Sequence, residues 1–319
     1  MAGIDFYDAA RDEAGALECW ELALGRQWPI TQTLLRIMTH AEGPCVAGDH
    51  LVAHEEGRVA GFAMTHLHPV STESSPRSAS LSALVVAPWA QRTGIAKALL
   101  EAALDTLFAS GVRRVQLGGG LPRLWPGVPN DLPAAVDFFR VQGWGYTHTT
   151  CDLTCSLADY ETPPDLWARM DAQGISIAPA TEGDMPEVLA FERREFPGWY
   201  EEYAYPARVG DHGDVIIARD GNRVIVGALM LYTPHSHPSR GDALWRTLLG
   251  EALGGLNAVG VAEAERGRGI GLALVARGSE VLRARGMQQA LIGWTTLTDF
   301  YGKLGYAPWR EYEMSARDI

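Results

Sequence analysis

The sequence predicts two consecutive mixed α/β domains. Three observations carry this prediction: the length of 319 residues, a long internal repeat, and an alternation of apolar strands with helical stretches in both halves. The length favours two domains because compact domains most often hold about 100 to 150 residues. A repeat that covers a strand, a glycine turn and a helix indicates that a domain-forming unit has been duplicated.

The repeat is ungapped where it is clearest. Residues 84–117 align with residues 259–292 at a constant offset of 175. Other landmarks recur at slightly different offsets, because His66-Leu67-His68-Pro69 matches residues 235–238 and Phe139–Trp144 matches residues 301–306. Small insertions therefore separate the conserved blocks of the two halves.

The boundary between the halves is expected in residues 157–174. Glu161-Thr162-Pro163-Pro164 interrupts regular structure there, and a new alternating strand follows. We therefore expect one domain at residues 1–157, a linker at residues 158–173 and a second domain at residues 174–319.

Each half is predicted to open on a strand, at Ile4–Tyr7 and at Ile175–Ala178, and to continue with a helical stretch. The helix of the second half has start signals, because Thr181 and Asp184 can cap its first amides. Further strands are expected within 52–66 and 215–232. These elements predict mixed α/β halves and exclude helical bundles.

The composition limits the classes of function. A net charge of −12 argues against a nucleic-acid or anionic-membrane partner, because no cationic field is available. No window is apolar enough to span a bilayer and the first residues lack the regions of a signal peptide, so a cytoplasmic protein is expected. The four cysteines have no zinc-site spacing, so no metal is expected.

A glycine turn between a strand and a helix predicts an anion site. In the second half the strand ends at Val259–Val261, and Arg266–Gly271 leads into an apolar-periodic helix that stops at Gly286. Free amides and the dipole at a helix start favour a diphosphate, and glycines let a ligand approach the backbone. The chain lacks the P-loop and dinucleotide fingerprints.

The turn resembles that of a known family. Arg266-Gly267-Arg268-Gly269-Ile270-Gly271 fits the [QR]-x-x-G-x-[GA] signature with which GCN5-related N-acetyltransferases (GNATs) bind acetyl-CoA, although Glu263 stands where that family often has proline. Residues 86–96 of the first half keep the proline, at Pro88, and end the signature in alanine. The resemblance implies two tandem GNAT domains, each a mixed, mostly antiparallel sheet flanked by helices.

The resemblance also implies acetyl-CoA as the cofactor. In the second half it assigns cofactor binding to Val259, Val261, Arg266, Gly267, Arg268, Gly269, Ile270 and Gly271. The matching residues of the first half are Leu84, Val86, Gln91, Arg92, Thr93, Gly94, Ile95 and Ala96.

The two halves differ at the residue that would act as the acid. In the family this is usually the tyrosine of Y-x-x-x-G-[FY], which Tyr301 supplies, whereas the first half has Phe139. We therefore expect a catalytic C-terminal half and a degenerate N-terminal half. For the base, Glu263, Glu265 and Asp299 stay open, as does a water relay to one of them.

The acceptor is expected to meet Glu195, Trp199 and Trp294. Aromatic faces beside carboxylates suit a sugar ring that carries an ammonium group. Short blocks around these residues resemble tandem acetyltransferases that act on free glucosamine, so an amino sugar is the first candidate for the acceptor. A mycothiol precursor, an aminoglycoside or an antibiotic-pathway amine remains open, as does a non-catalytic acyl-CoA-binding module. The chain is expected to be a monomer or a homodimer.

Overall fold

The computed structural model describes residues 3–40, 46–68, 77–120, 124–237 and 245–319. The chain divides into two compact units, Met1–Thr150 together with Glu311–Ile319, and Cys151–Arg310. These units differ from the expected halves at both ends of the second half. The last residues of the chain complete the sheet of the first unit, and the segment expected as a linker belongs to the second unit.

The first unit holds four of the described helices. They are α1 (Ala9–Leu24), α2 (Gln32–His40), α3 (Ile95–Ala109) and α4 (Pro133–Val141). Its strands are β1 (Gly3–Phe6), β2 (Val46–Ala47), β3 (Leu51–Glu55), β4 (Arg58–Leu67), β5 (Arg77–Val86), β6 (Val112–Leu117) and β7 (Val128–Pro129). The points of division between the units lie within β8 (His148–Ser156) and β14 (Ala307–Met314).

The sheet of the first unit has the strand order β1-β3-β4-β5-β6 and ends on β15 (Ala316–Asp318), with β2 paired to β4. Its pairings are antiparallel except for the parallel β5–β6 pair. Helix α3 packs Leu99 and Ala103 into the core of this sheet. The parallel pair follows from α3, which carries the chain back to the start of the neighbouring strand.

The second unit repeats this pattern. Its helices are α5 (Pro164–Ala172), α6 (Met185–Glu195), α7 (Tyr200–Val209), α8 (Arg246–Leu249), α9 (Ile270–Ala284) and α10 (Thr298–Gly302). Its other strands are β9 (Ser176–Pro179), β10 (Val215–Arg219), β11 (Ile225–Tyr232), β12 (Leu253–Val261) and β13 (Gln289–Thr295). The strand order is β8-β13-β12-β11-β10-β9, and only β12–β13 is parallel. The predicted fold class is therefore confirmed.

Helix α9 is the counterpart of α3. Its apolar positions recur at helical spacing, and it buries Ile270, Leu274 and Leu282 in the core of the second unit. Gly278 lets α9 lie close to the sheet, because a Cβ there would stand 2.7 Å from a methyl carbon of Leu256. This close packing fixes the start of the helix relative to β12.

The segment expected as a linker, residues 158–173, contains α5. Proline is compatible with the first turn of a helix, where its missing N–H would have no partner, so Pro163 and Pro164 begin α5 instead of breaking structure. Leu166 and Met170 then join the core of the second unit. None of the described helices is long and apolar enough to cross a membrane.

Candidate active site

The glycine turn has the same conformation in both units. A short 3-10 turn follows the strand, at Pro88–Ala90 and at Glu263–Glu265. Gly94 and Gly269 then adopt left-handed φ angles of 95° and 87° immediately before α3 and α9. Such angles favour glycine. The predicted strand, turn and helix start are thus present twice.

The first residue of each signature closes the turn from within. The Gln91 side chain donates from Nε2 to the carbonyl of Val86 at 3.1 Å, and Arg266 donates from Nε to the carbonyl of Val261 at 3.2 Å. Both side chains therefore tie the helix start to the end of the preceding strand. This contact gives a structural reason for glutamine or arginine at that position.

The second turn is open at Gly267. A Cβ at Gly267, whose φ is 79°, would meet no other group within 4 Å. In the first unit Arg92 occupies the corresponding position with a left-handed φ of 63°. A non-glycine residue is strained there, by about 1 kcal/mol or more. The second turn therefore offers an unstrained backbone with no side chain in front of it.

Helix α5 adds a cation that sequence reasoning missed. The guanidinium of Arg169 lies 3.1 to 3.2 Å from the place where a Cβ of residue 269 would stand. Gln173 holds α5 against the turn, because its amide exchanges hydrogen bonds with Nε and the carbonyl of Arg268 at 2.9 and 3.2 Å. Arg169 was missed because residues 158–173 were expected to form a linker and not a helix. An anion at the start of α9 would thus meet helix amides and Arg169 together.

Strands β12 and β13 leave an open edge beside this turn. Their parallel pairing ends at Leu256 and Ile292, so that no strand pairs with this side of residues 257–261 in the described part of the chain. On the other side, the register with β11 shifts between Ala228 and Met230, which marks a β-bulge at Ala258 and Val259. Val259 and Val261 pack toward α9 in the core.

Tyr301 lies in the core beside this edge. Its ring is 7% exposed and belongs to the same cluster as Ile270, against which Val261 also packs. The neighbouring Phe300 ring comes within 3.5 Å of the Cβ position of Gly271. Burial raises the pKa of Tyr301 to about 12, so the phenol keeps its proton at neutral pH. The structure therefore places Phe300, the chain neighbour of Tyr301, against the start of α9.

The carboxylates proposed as bases stand apart from this core. Glu263 lies in the exposed 3-10 turn after β12, and Asp299 lies at the exposed start of α10. Glu265 forms an ion pair with Arg268. None of the three is enclosed by the protein.

The segment expected to face the acceptor lies against β12. Phe196 approaches Gly260 so closely that a Cβ there would stand 2.5 Å from its ring, and Phe196 stacks on Trp199 at 5.0 Å between centroids. Glu195 accepts hydrogen bonds from Arg194 at 2.9 Å and from the amide of Glu263 at 3.4 Å. Two of the three predicted acceptor residues, Glu195 and Trp199, therefore lie near the strand end.

Trp294 is held in an unusual backbone conformation. Its φ is 62°, which is strained for a bulky side chain, and its ring is 39% exposed. The buried carboxylate of Asp152 accepts a hydrogen bond from the Trp294 amide at 3.1 Å. Strain of this kind concentrates at functional sites, which agrees with the predicted role.

A polar cluster at the bulge was not predicted. Glu192 of α6 is fully buried, and neither of its carboxylate oxygens has a hydrogen-bond partner. On α7, Glu202 accepts a hydrogen bond from the Asn257 amide at 2.8 Å, and the Tyr203 hydroxyl donates to the carbonyl of Ala258 at 2.6 Å. In the sequence, the clue is a glutamate on the apolar face of α6, beside Val188 and Phe191.

The first unit fills the same region with satisfied groups. The ring of His66 contacts Ser82 Oγ at 2.7 Å and the carbonyl of Met38 at 2.8 Å, and Ser82 Oγ lies 2.7 Å from the carbonyl oxygen of Gly119. A Cβ at Gly120 would stand 2.7 Å from Cβ of His66, so the backbone is packed against the histidine. Burial lowers the pKa of His66 to about 3. His66, the first residue of the repeated His-x-His-Pro motif, is thus a neutral core residue. Pro69 and Pro238, which end the two copies of the motif, lie outside the described residues.

The other features of the described chain do not form a competing site. A cleft of about 580 Å³ in the first unit is lined by Arg11, His54, Arg58 and Trp89 among others, and none of the predicted site residues lines it. No group of three or more metal-ligating side chains occurs in the described residues.

Comparisons with known proteins agree with this geometry. The model of the acetyltransferase (GNAT) family matches residues 15–144 and 185–306. The chain is 30% identical over 269 residues to a mycothiol acetyltransferase of Sanguibacter keddieii, covering 81% of this chain and 75% of that protein. It is 27% identical over 271 residues to the mycothiol acetyltransferase of Nocardia farcinica, covering 82% and 80%.

Two solved structures are also similar. The glucosamine N-acetyltransferase region of a fungal multi-domain GH3 β-N-acetylglucosaminidase superposes with a TM-score of 0.93 at 32% identity, covering 99% of this chain and 38% of that one. The chain thus spans less than half the length of that multi-domain protein. A tandem GNAT protein from the clavulanic acid biosynthesis pathway shares the fold, with a TM-score of 0.68 at 16% identity over 100% of this chain and 98% of that one. The chain therefore belongs to the GNAT acetyltransferase family, as a tandem member.

Proposed function

We propose that this acetyltransferase moves an acetyl group from acetyl-CoA to a primary amine of a small molecule, that an amino sugar is the acceptor, and that the second unit performs the reaction. The observation that carries the proposal is the packing of Phe300 against Gly271 at the helix start of the second turn, with the adjacent Tyr301 in the core cluster that also holds Ile270. It supports a protonated phenol near a backbone suited to the cofactor. The first unit has a buried phenylalanine, Phe139, at the corresponding position.

The residues of the second turn fit acetyl-CoA. Gly267 leaves the backbone open, the first amides of α9 have no acceptor within the helix, and Arg169 adds a positive charge beside Gly269. The free edge of β12 at residues 257–261 can hydrogen-bond the amides of an extended chain. When bound there, acetyl-CoA supplies the thioester carbonyl that the amine attacks.

Tyr301 holds the proton that the reaction needs on the leaving side. Because the pKa of its phenol is about 12, the hydroxyl stays protonated over the whole neutral range. Its phenolate would be a stronger base than the departing thiolate, because the pKa of a thiol is about 8.5. Tyr301 therefore acts as a relay that protonates the departing sulfur as it recovers a proton released by the amine.

Two acceptors are supported by particular observations. An amino sugar is favoured by the likeness to a glucosamine N-acetyltransferase region, and by Trp199 and Trp294, whose rings suit the apolar face of a sugar. The amine of a mycothiol precursor is favoured by the two mycothiol acetyltransferases that are 30% and 27% identical.

A thiol-release assay with acetyl-CoA tests the proposal. We expect glucosamine to stimulate release, more than the amine of a mycothiol precursor, aminoglycosides, amino acids or polyamines at equal concentration. A preference for the mycothiol precursor would establish the second candidate. If no amine stimulates release while CoA still binds, the chain is a binding module and the proposed function is wrong.

A further inference from the structure

The second unit buries a carboxyl group that the proposed function leaves without a role. Glu192 is 0% exposed, and both of its carboxylate oxygens lack a hydrogen-bond partner. Burying an unpaired polar group is costly, and an unpaired buried charge costs more. A group kept in this state indicates either a proton that it holds or a ligand that it awaits.

The surroundings of Glu192 lead directly to the bulge of β12. Helix α7 packs against α6 and carries Glu202 and Tyr203. Glu202 is half-buried and is fixed by Asn257, and Tyr203 is bonded to the carbonyl of Ala258, whose φ of 49° is left-handed. Glu202 and Tyr203 therefore connect α7 to β12, the strand with an open edge at residues 257–261.

No cation of the neighbouring elements neutralises Glu192 in the described residues. On α6 itself, Glu187, Arg193 and Arg194 are paired with Arg219, Tyr200 and Glu195, respectively. The adjoining 3-10 turn contributes Asp184, which is paired with Arg219. The titratable groups that face the cluster are Glu202 and Tyr203 of α7 and Tyr232 of β11.

Given these neighbours, Glu192 and Glu202 behave as a coupled pair. Burial, and the negative charge of Glu202, raise the pKa of Glu192 to about 8. Glu192 therefore keeps its proton at neutral pH and loses it near pH 8. A cation brought to the pair favours the fully ionised form.

Building on the proposed function, we propose that Glu192 and Glu202 form the proton acceptor of the reaction. Glu202 meets the ammonium group of the acceptor at the β12 bulge, and Glu192 is the buried positioning residue behind it. When the ammonium binds, Glu192 releases its proton to solvent. An N–H bond of the ammonium then breaks, its electron pair stays on nitrogen, and the proton binds the ionised carboxyl pair. The amine becomes nucleophilic, and the pair returns the proton to solvent after turnover.

The alternatives for this role are weaker on geometric grounds. Glu263 and Asp299 are exposed, so water can compete for any ammonium that they bind. Glu195 already accepts hydrogen bonds from Arg194 and from the amide of Glu263. The pair combines a fully buried carboxyl group, Glu192, with a half-buried one, Glu202, that is connected directly to β12.

The test compares Glu202→Gln and Glu192→Gln with the matched control Glu201→Gln, an exposed neighbour that pairs with Arg208. We expect Glu202→Gln to lower kcat with the best amine by about 100-fold at pH 7, because general bases contribute about 10²- to 10⁴-fold. This loss should shrink as the pH rises and the amine deprotonates in solution. Glu201→Gln should match the wild type.

Infrared difference titration of the free protein gives a readout that does not depend on turnover. A protonated-carboxyl band should disappear near pH 8 in the wild type and be absent in Glu192→Gln. It should disappear at lower pH in Glu202→Gln, and also when the wild type is given glucosamine. A Glu202→Gln enzyme with wild-type kcat and pH profile would overturn the role of the pair, as would a band that the amine does not shift. Wild-type inactivity with every amine would instead overturn the proposed function.

Discussion

The two units share a sheet topology but differ in what lies against the strand before the glycine turn. In each unit, six strands lie side by side and form five strand pairings. One of these pairings, next to the turn, is parallel, and the others are antiparallel. In the first unit, His66 and Ser82 satisfy each other beside that strand, and Phe139 fills the core. In the second unit, Glu192 has no partner and Tyr301 carries a hydroxyl. Within the described residues both copies keep this architecture, whereas the tyrosine and the unpaired buried carboxyl group occur at these positions in the second copy.

The difference between the two units shows that the glycine turn and the reaction have separate requirements, although the acetyl-CoA signature suggests both at once. The turn needs glycine before the helix and a side chain that bonds the strand end, and both units meet these needs. The reaction needs proton-carrying groups at the strand, and only the described residues of the second unit supply a tyrosine and a carboxyl pair there. A matching signature is thus weaker evidence of turnover than the groups around it.

Exchange of the acid residues tests this contrast with the largest expected effect. Tyr301→Phe should lower kcat by about 10³-fold, because it removes the proton relay and leaves the ring in place. Its counterpart Phe139→Tyr should neither raise the wild-type rate nor restore the Tyr301→Phe enzyme. Steady-state kinetics of the three variants measure this, with acetyl-CoA affinity as the control for folding. Full activity of Tyr301→Phe would remove Tyr301 from the mechanism.

The polar clusters should also respond differently to pH. Because the folded-state pKa of Glu192 is raised from 4.5 to about 8, its contribution to stability is lost as the pH rises through that window. The free energy of unfolding should therefore fall from pH 5 to pH 8 by about 3 kcal/mol more in the wild type than in Glu192→Gln. Urea unfolding at each pH measures the difference.

The difference in unfolding free energy between the wild type and Glu192→Gln reports on the second unit alone. His66, with a pKa lowered to about 3, destabilises the fold as the pH falls below 6.5, but it does so equally in both proteins. Parallel stability curves for the wild type and Glu192→Gln would show that Glu192 has an ordinary pKa.

Much of the fold was predictable from local patterns. The opening strands at Gly3–Phe6 and Ser176–Pro179 lie within one residue of the predicted ones, because apolar alternation marks them clearly. Helix α5 was missed because its two prolines suggest a break when their place in a first helical turn is unknown. The pairing of β15 with β6 joins residues about 200 positions apart, and no local pattern encodes it.

The site was predictable where it is contiguous in sequence. The turn residues and Tyr301 belong to motifs, and Tyr301 shares a core cluster with Ile270 at the start of α9. Arg169, Glu192 and Glu202 come from helices that precede the turn by 60 to 100 residues, and only tertiary packing brings them to β12 and α9. A lone glutamate on an apolar helix face is more often a satisfied core residue, so its missing partner had to be seen in three dimensions.

Acetyl-CoA titration by calorimetry tests the central claim, that the second copy is the working one, most directly. Gly94→Glu and Gly269→Glu both place a side chain at a left-handed φ just before the corresponding helix, and only at residue 269 does its Cβ meet another residue, Arg169. We expect Gly269→Glu to abolish both acetyl-CoA binding at the second turn and turnover, and Gly94→Glu to leave turnover unchanged. Loss of turnover in Gly94→Glu with full activity in Gly269→Glu would place the active site in the first unit and contradict the account.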